Sequence, residues 1–241
     1  MSNKVFLNIK IGDVAAFTDA TSRYNSAKAW VKQWSSTYGF TTDNLDELDC
    51  ENKETLRDIL SNDPTATSEQ WIVDAPTPLK GGRVVIELNQ KECPKTCENF
   101  IQLCTGGKIG KSSKKPLFFK DTRMFRLVKD FVVQGGDVTR GDGSGGDSIY
   151  NGKFNDEKPG LAKKFNKTGL VAMANSGKNS NTSQFFITLG DKHAQFDKIN
   201  GKYVIFGQVV EGLQVLEQIN QVTEVKETPQ ETITITDCGT L

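Results

Sequence analysis

The chain has 241 residues, 36% of them hydrophobic, with 30 basic and 30 acidic side chains. This balance is typical of a globular protein with one large domain or two small ones, and it argues against general nucleic-acid binding, which requires clustered Lys and Arg. No run approaches the roughly 20 apolar residues of a membrane span, no apolar signal sequence opens the chain, and the five cysteines are odd in number. We therefore expect a cytoplasmic protein with reduced thiols that binds neither nucleic acid nor a membrane.

The chain begins with an alternating strand at residues 5–11, and the next segment of strand character is residues 82–88. We interpret residues 13–78 as a helical insertion between these two strands, within a single domain that comprises residues 1–241. An alternative register fits the same pattern. In it, residues 71–73 are the first strand and residues 1–68 form an N-terminal extension.

Two helices are predicted within the insertion. Ser22 is the expected N-cap of the first helix and Gly39 its end, and the apolar positions at helical spacing are Ala27, Trp30, Val31 and Trp34. The second helix covers residues 51–60 and ends at an Asn-Asp-Pro sequence. Because two lone helices bury little surface, we expect the tryptophan stripe to pack against the second helix or the main sheet rather than to form a partner site.

A further helix is predicted over residues 93–104, with Pro94 in its first turn. One face of this helix carries Cys97, Phe100, Ile101 and Cys104. Cys93 and Cys97 have a spacing that suits a metal clamp, but the chain has one histidine and no Cys-x-x-Cys pair. We therefore expect buried thiols, no metal and no cofactor.

The most informative stretch is residues 124–186. In it, Phe125, Leu127, Phe131 and Val133 alternate with polar neighbours, which predicts strands with one face on a core. Arg126 is unusual in such a setting, and the other polar groups of these segments are the amides of Gln134, Asn175 and Gln184. One arginine and several amides among aromatic and branched residues describe an apolar pocket with a few convergent hydrogen-bonding groups. Such a pocket suits a neutral peptide.

The remaining chain alternates between loops and short segments of strand character. We predict strands at residues 169–174, 184–189, 202–209 and 231–237, and a helix at residues 212–220. Many short strands with two main helices indicate a mainly β fold, an antiparallel barrel capped by helices. The segment 141–146 matches the dinucleotide pattern G-x-G-x-x-G by letter, but no helical period follows it, so a nucleotide site is not expected.

Three motifs in this order closely resemble the cyclophilin peptidyl-prolyl isomerases. They are Phe-Arg-Leu-Val-x-x-Phe-x-x-Gln-Gly-Gly-Asp from residue 125, Gly-Ser-Gly-Gly-x-Ser-Ile-Tyr from residue 143, and Met-Ala-Asn-x-Gly-x-Asn-x-Asn-x-Ser-Gln-Phe-Phe-Ile from residue 173. The resemblance covers residues 82–241. It implies a closed cyclophilin-like barrel with a mobile glycine loop beside the pocket, and an enzyme that acts on proline-containing peptides and client proteins.

The resemblance also assigns roles within the pocket. Peptide-bond rotation faces a barrier of roughly 18–20 kcal/mol, and a donor that binds the twisted amide better than the planar one lowers it without a nucleophile or metal. Arg126 is the implied catalytic donor, Gln134 holds the carbonyl side, and the backbone of Asn175 pairs with the residue before proline. The implied substrate-binding residues are Phe131, Val132, Gln134, Ala174, Asn175, Ser176, Gln184, Phe186, Phe196 and Tyr203.

Residues 190–201 depart from the family pattern. Many cyclophilins carry a Trp-Leu-Asp-Gly-Lys run here, and its Trp contributes to the pocket rim and to binding of the drug cyclosporin. No Trp follows Trp71 in this chain, so we expect cyclosporin to bind weakly. Either Phe196 or Ile199 is expected to complete the proline pocket, and the single histidine, His193, is expected to be solvated rather than catalytic.

The resemblance leaves two questions open. Residues 111–117 look like the loop insertion of the divergent-loop cyclophilins, in which two cysteines at the positions of Cys104 and Cys238 lie close together and are discussed as a redox pair; two reduced core thiols are the alternative. The second question is functional. The chain is either an active isomerase or a proline-peptide binding module in which the insertion recruits a partner and turnover is incidental.

Overall fold

The computed structural model describes residues 3–191 and 194–241. The chain divides into two compact units. We call Asp13–Leu79 the helical unit, and the N-terminal strand together with Lys80–Leu241 the sheet unit. The expectation for His193 concerns a residue outside the described ranges.

The sheet unit is built on nine antiparallel strands in the order β3-β11-β1-β2-β8-β6-β7-β5-β4. A separate two-stranded ribbon pairs β9 with β10. The strands are β1 (Lys4–Ile11), β2 (Lys80–Leu88), β3 (Thr122–Arg123), β4 (Arg126–Val128), β5 (Val132–Gly135), β6 (Leu170–Met173), β7 (Phe185–Thr188), β8 (Ile205–Glu211), β9 (Glu224–Val225), β10 (Thr228–Pro229) and β11 (Ile233–Thr240). Their number and short lengths confirm the mainly β prediction.

The predicted closure of the barrel is wrong. The sheet is strongly curled, but its two edges, β3 and β4, are not hydrogen-bonded to each other among the described strands. Met124 and Phe125 lie between these edges and belong to neither strand. The chain itself therefore bridges the gap, and the sheet is a half-barrel that is not fully closed.

Four helices belong to the described part of the sheet unit. Two are the predicted main helices, α4 (Pro94–Thr105) and α7 (Leu213–Asn220). The other two, α5 (Lys158–Leu161) and α6 (Phe196–Ile199), are single turns, which are too short to show a helical period in the sequence. Of the helices in the described ranges, none combines the length and apolar character that a bilayer crossing requires.

Phe100 on α4 is at the centre of the inner core of the sheet unit. It is fully buried, and its ring lies 5.0–5.1 Å, between centroids, from the rings of Phe119, Phe185 and Phe206. The same helix buries Cys97 and Cys104 completely. Three of the four residues of the predicted apolar face are thus buried in the core, and the fourth, Ile101, is partly buried against it.

The helical unit contains α1 (Val14–Tyr38), α2 (Cys50–Ser61) and α3 (Pro64–Ser68). The prediction that Ser22 caps the first helix is wrong, because α1 begins earlier, where the Asp13 carboxylate accepts a hydrogen bond from Ala16 N at 3.0 Å. No residue of α1 before Tyr24 is fully buried, and the stripe predicted from the sequence began only at Ala27. Gly39 ends the helix as predicted, in the left-handed conformation with φ 77°.

The buried face of α1 also differs from the predicted stripe. Buried positions are Tyr24, Ala27, Val31 and Ser35, whereas Trp34 is 40% exposed. Trp30 is partly buried and its ring lies 5.0 Å from that of Tyr38. The buried face is slightly rotated relative to the expected stripe, and Trp34 is not part of the core of the helical unit.

Residues 71–73 lie in no strand and contribute to the core of the helical unit. The first two strands of the sheet are instead β1 and β2, which pair from Lys4 with Glu87 to Ile11 with Lys80. In the sequence, Asp13–Leu79 therefore connects two strands that are directly paired in the sheet.

We predict that Phe100→Ala lowers the free energy of unfolding of the sheet unit by about 3–5 kcal/mol, since it removes a fully buried aromatic ring. Hydrogen exchange of the amides in β6 and β7 measures the loss in that unit. Ile109→Ala is the control, because Ile109 is 62% exposed and its truncation is expected to change stability by less than about 0.5 kcal/mol. Equal protection in the two variants would contradict the prediction.

Candidate active site

The pairing register of the strands places three candidate residues side by side. Arg126 on β4 pairs with Gln134 on β5, and Gln134 pairs with Phe186 on β7. Side chains of directly paired residues lie on the same face of a sheet. These residues come from separate segments of the sequence, and the register arranges them in one row across the sheet.

A chain of side-chain hydrogen bonds starts at Arg126. Arg126 Nη1 donates to Gln134 Oε1 at 3.4 Å, and Gln134 Nε2 donates to Gln184 Oε1 at 3.0 Å. Gln184 Nε2 in turn donates to the backbone oxygens of Gly143 at 2.9 Å and Gly145 at 2.7 Å. Each amide therefore presents its oxygen toward Arg126 and its nitrogen toward the glycine loop, which we define as residues 141–146.

A small cavity of about 180 Å³ lies beside this row, and we call it the proline pocket. Its lining residues are Arg126, Phe131, Val132, Gln134, Ala174, Asn175, Phe186, Gln195, Ile199 and Tyr203. Tyr203 packs edge-on against the ring of Phe186 at 5.4 Å. Apart from Arg126, Gln134, Asn175 and Gln195, these side chains are hydrophobic or aromatic, so the pocket suits an uncharged ring.

Three of the predicted substrate-binding residues do not line the proline pocket. Ser176 and Gln184 line the neighbouring cavity. Phe196 is 4% exposed and packs behind the pocket wall, with its ring 5.2 Å from Phe131 and 6.1 Å from Phe165. Of the two alternatives for completing the pocket, Ile199 lines it and Phe196 supports it from behind. Phe196 faces inward on its short helix, which the sequence did not reveal.

The alternating set Phe125, Leu127, Phe131 and Val133 does not share one face. Leu127 and Val133 belong to the inner core, whereas Phe131 lies in the turn between β4 and β5 and joins a second apolar cluster with Phe186. Phe125 is half-buried and packs against the glycine loop, where a Cβ at Gly143 would lie 2.5 Å from its ring. The turn between β4 and β5 interrupts the alternation, so Phe131 lies on the opposite side from Leu127 and Val133. The prediction that all four residues share one face is therefore wrong.

Asp137 anchors the glycine loop. It is buried, and its carboxylate accepts hydrogen bonds from the backbone of Thr139, Arg140, Gly143 and Gly145 and from the Thr139 hydroxyl. Burial alone would raise the pKa of Asp137, but these donors outweigh it and hold the pKa below the usual aspartate range. The loop is thus tied to a fixed charge, and its mobility stays a prediction.

Glu227 is a site residue that the sequence did not predict. Its carboxylate accepts from Arg126 Nε at 2.7 Å and from Arg126 Nη2 at 3.2 Å. It lies in the turn between β9 and β10 with φ 63°, and its backbone oxygen accepts from Leu127 N at 2.8 Å. A glutamate in a polar turn 101 residues from Arg126 gave no sequence signal of its own.

The cysteines of the suggested redox pair are both buried and free. Burial raises the pKa of Cys104 well above its usual value, and the neighbouring Cys238 raises it further. Burial likewise raises the pKa of Cys238 to about 12. Both thiols are therefore protonated near neutral pH, which disfavours thiolate reactivity. A redox role for Cys104 and Cys238 stays a prediction.

The lysine-rich loop at residues 111–117 is held at its centre, where Ser113 N donates to Asp147 Oδ2 at 2.8 Å. Within the described ranges, no three His, Cys, Asp or Glu side chains cluster as metal ligands.

Comparison with known proteins defines the class. Residues 73–240 match the family described as cyclophilin type peptidyl-prolyl cis-trans isomerase/CLD, and the chain belongs to this family. NK-tumor recognition protein from Mus musculus and its counterpart from Homo sapiens are each 44% identical to the chain over 162 residues. The aligned region covers 66% of this chain and 11% of each relative, so the chain spans only a small part of their length.

We predict that Glu227→Gln lowers kcat/KM for a proline peptide by up to about fivefold, because a half-exposed ion pair contributes roughly 0.2–1 kcal/mol to holding the guanidinium. The Arg126 hydrogen bond lowers the pKa of Glu227, so the ion pair is intact above the usual glutamate pKa and is lost as the pH falls through the lower folded value. The kcat/KM of the wild type should decline in that acidic range. The kcat/KM of the Glu227→Gln variant should be low throughout and should not change with pH there.

The matched control for this prediction is Glu231→Gln, which removes the same charge from an exposed position on the same segment. It should retain both the rate and the pH profile of the wild type. Identical profiles for the wild type and Glu227→Gln would show that Glu227 does not position Arg126.

Proposed function

We propose that this protein catalyses cis/trans isomerisation of X-Pro bonds in peptides and client proteins, without covalent or metal catalysis. The single observation that supports this most strongly is the Arg126 guanidinium, held on both sides at the edge of the apolar proline pocket. Family membership supports the same reaction class.

The hydrogen-bond inventory of Arg126 supports a role as a donor. A guanidinium carries five N–H groups. The Nε hydrogen and one hydrogen of Nη2 point to Glu227, and one hydrogen of Nη1 points to Gln134. One N–H on each of Nη1 and Nη2 therefore remains for a substrate.

These remaining donors suit the chemistry of the twisted amide. When an X-Pro bond rotates, resonance is lost, and the prolyl nitrogen becomes pyramidal and gains a lone pair that accepts a hydrogen bond. A donor fixed beside that nitrogen stabilises the twisted state more than either planar isomer, which is what lowers the roughly 18–20 kcal/mol barrier. Because Arg126 is already held by Gln134 and Glu227, little reorganisation is needed during the reaction.

The remaining pocket residues hold the substrate. The aromatic rings of Phe131, Phe186 and Tyr203 form walls for the proline ring, and Gln134 lies close enough to Arg126 to bind the carbonyl that precedes it. Asn175 is fixed through its side chain, which donates to Lys202 O at 2.9 Å and accepts from Gly177 N at 3.1 Å. We assign its backbone to the residue before proline.

A second candidate function is recruitment of a partner through the helical unit. The specific observation in its favour is the exposure of two aromatic side chains of α1, Trp34 at 40% and Tyr38 at 49%. In that case isomerase turnover would be incidental to binding. Turnover of a short peptide, which cannot span a second surface, separates the two functions.

We predict that Arg126→Ala lowers the rate of cis/trans exchange of a proline tetrapeptide by about 10²–10³-fold, as expected for loss of one transition-state donor. NMR exchange spectroscopy measures this rate, and the sheet signals report whether the variant is folded. Arg123→Ala is the control, because Arg123 is an exposed arginine on the adjacent edge strand. Unchanged exchange in a folded Arg126→Ala variant would overturn the proposed function.

We also predict that cyclosporin binds this protein weakly compared with cyclophilins that carry a rim tryptophan. No Trp lies in the sheet unit, and the rim residues that line the pocket in its place are Gln195 and Ile199. Isothermal titration measures the affinity, and Ile199→Trp is expected to increase it. Stoichiometric binding at low nanomolar drug would contradict the prediction.

A further inference from the structure

A second, larger cavity of about 770 Å³ adjoins the proline pocket. The two cavities share Gln134, Ala174 and Asn175 in their linings. The two cavities are therefore contiguous at Asn175.

The lining of this cavity is polar and carries positive charge. Its hydroxyl groups come from Ser112, Ser113, Thr139, Ser144, Ser176, Ser180 and Thr182. Its charged side chains are Lys115, Arg140 and Lys153, and no Asp or Glu is among the described residues that line it. This composition differs from that of the proline pocket, whose walls are mainly aromatic and aliphatic.

Two of the cations are placed at the cavity wall by hydrogen bonds to its hydroxyls. Arg140 Nη1 donates to Ser144 Oγ at 3.3 Å, and Lys153 Nζ donates to Ser176 Oγ at 3.5 Å. Neither side chain takes part in an ion pair within the described ranges. Their charges are thus available to a ligand.

Three carboxylates in the loops around the cavity accept hydrogen bonds from those loops. Asp137 accepts from the backbone of the glycine loop, as described above, and Asp142 Oδ1 accepts from the backbone and hydroxyl of Ser144. Asp147 accepts from Ser113 N and Ser148 N. These bonds engage the carboxylate oxygens within the loops that form the cavity, whereas the charged side chains that line the cavity itself are all cationic.

From this geometry we propose that the second cavity binds an anionic side chain of the substrate, located one or two residues before the X-Pro bond. This inference rests on the proposed function and names the substrate class. The direction follows from the assignment of the Asn175 backbone to the X residue, since an extended chain rises about 3.3 Å per residue and so carries the preceding side chains over the shared wall. Aspartate, glutamate and phosphoserine have the required charge, and phosphoserine offers the most acceptor oxygens.

The test compares tetrapeptides Z-Ala-Pro-Phe that differ only at Z, which is Glu, Gln, phosphoserine, Ser or Lys. At low salt we expect kcat/KM for Glu to exceed that for Gln by about threefold to fivefold, and phosphoserine to exceed Ser by about tenfold or more. The gain should appear mainly in KM and shrink toward one at about 0.5 M salt, where exposed charges are screened. Exchange spectroscopy measures each rate.

The matched variants identify the cavity as the source of this selectivity. In the double variant Arg140→Gln, Lys153→Gln the ratios of phosphoserine to Ser and of Glu to Gln should both fall to about one, and the ratio within one variant cancels any general loss of activity. Lys91→Gln removes a charge from an exposed loop residue outside the cavity and should keep the wild-type ratios. Ratios of one in the wild type, or unchanged ratios in the double variant, would overturn the inference.

Failure of the proposed function gives a different result. If no peptide is turned over, the isomerase proposal fails. Titration of the phosphoserine and Ser peptides, followed by the amide shifts of Arg140 and Lys153, then decides the inference alone: preferential binding of the phosphopeptide supports it, and equal or absent binding overturns it.

Discussion

The hydrogen-bond chain from Arg126 through Gln134 and Gln184 to the glycine loop is the interaction on which the rest of the site depends. Each glutamine has one acceptor and one donor end, and the chain uses both ends of each. It therefore fixes the orientation of two amides at once, and it couples the position of the guanidinium to that of the glycine loop, which lines the second cavity. Without this support the arginine side chain would sample many rotamers, because its rotamer entropy is large.

Residues that stabilise the fold and residues of the candidate site lie on opposite faces of the same sheet. Its inner face packs Leu127, Val133 and Ile187 into the core around Phe100, and its outer face carries the Arg126 row and the aromatic cluster of the proline pocket. Alternation along each strand assigns neighbouring residues to opposite faces. A substitution in the outer row is therefore expected to alter the site more than the fold, and the reverse holds for the inner face.

Most of the elements that depend on local sequence patterns could be predicted. The strands around Arg126, the helix that buries Phe100 and the end of α1 at Gly39 follow from periodicity and capping, and they are confirmed by the structure. What the sequence missed depends on long-range geometry. Glu227 reaches Arg126 only because the β9–β10 turn lies beside β4, and the open edge between β3 and β4 follows from a two-residue bend. The start of α1 was missed because its first turns bury no continuous stripe.

The location of the helical unit has a consequence for how the chain folds. Ile11 and Lys80 are direct partners in the sheet, yet all of Asp13–Leu79 lies between them. Compared with a four-residue turn, a flexible connection of this length adds about 2 kcal/mol to the entropic cost of closing the β1–β2 pair, at about 0.6 kcal/mol per doubling. The helical unit has its own buried core, and if it collapses first it shortens the effective loop. The order in which the two units form is therefore expected to affect the rate at which β1 pairs with β2.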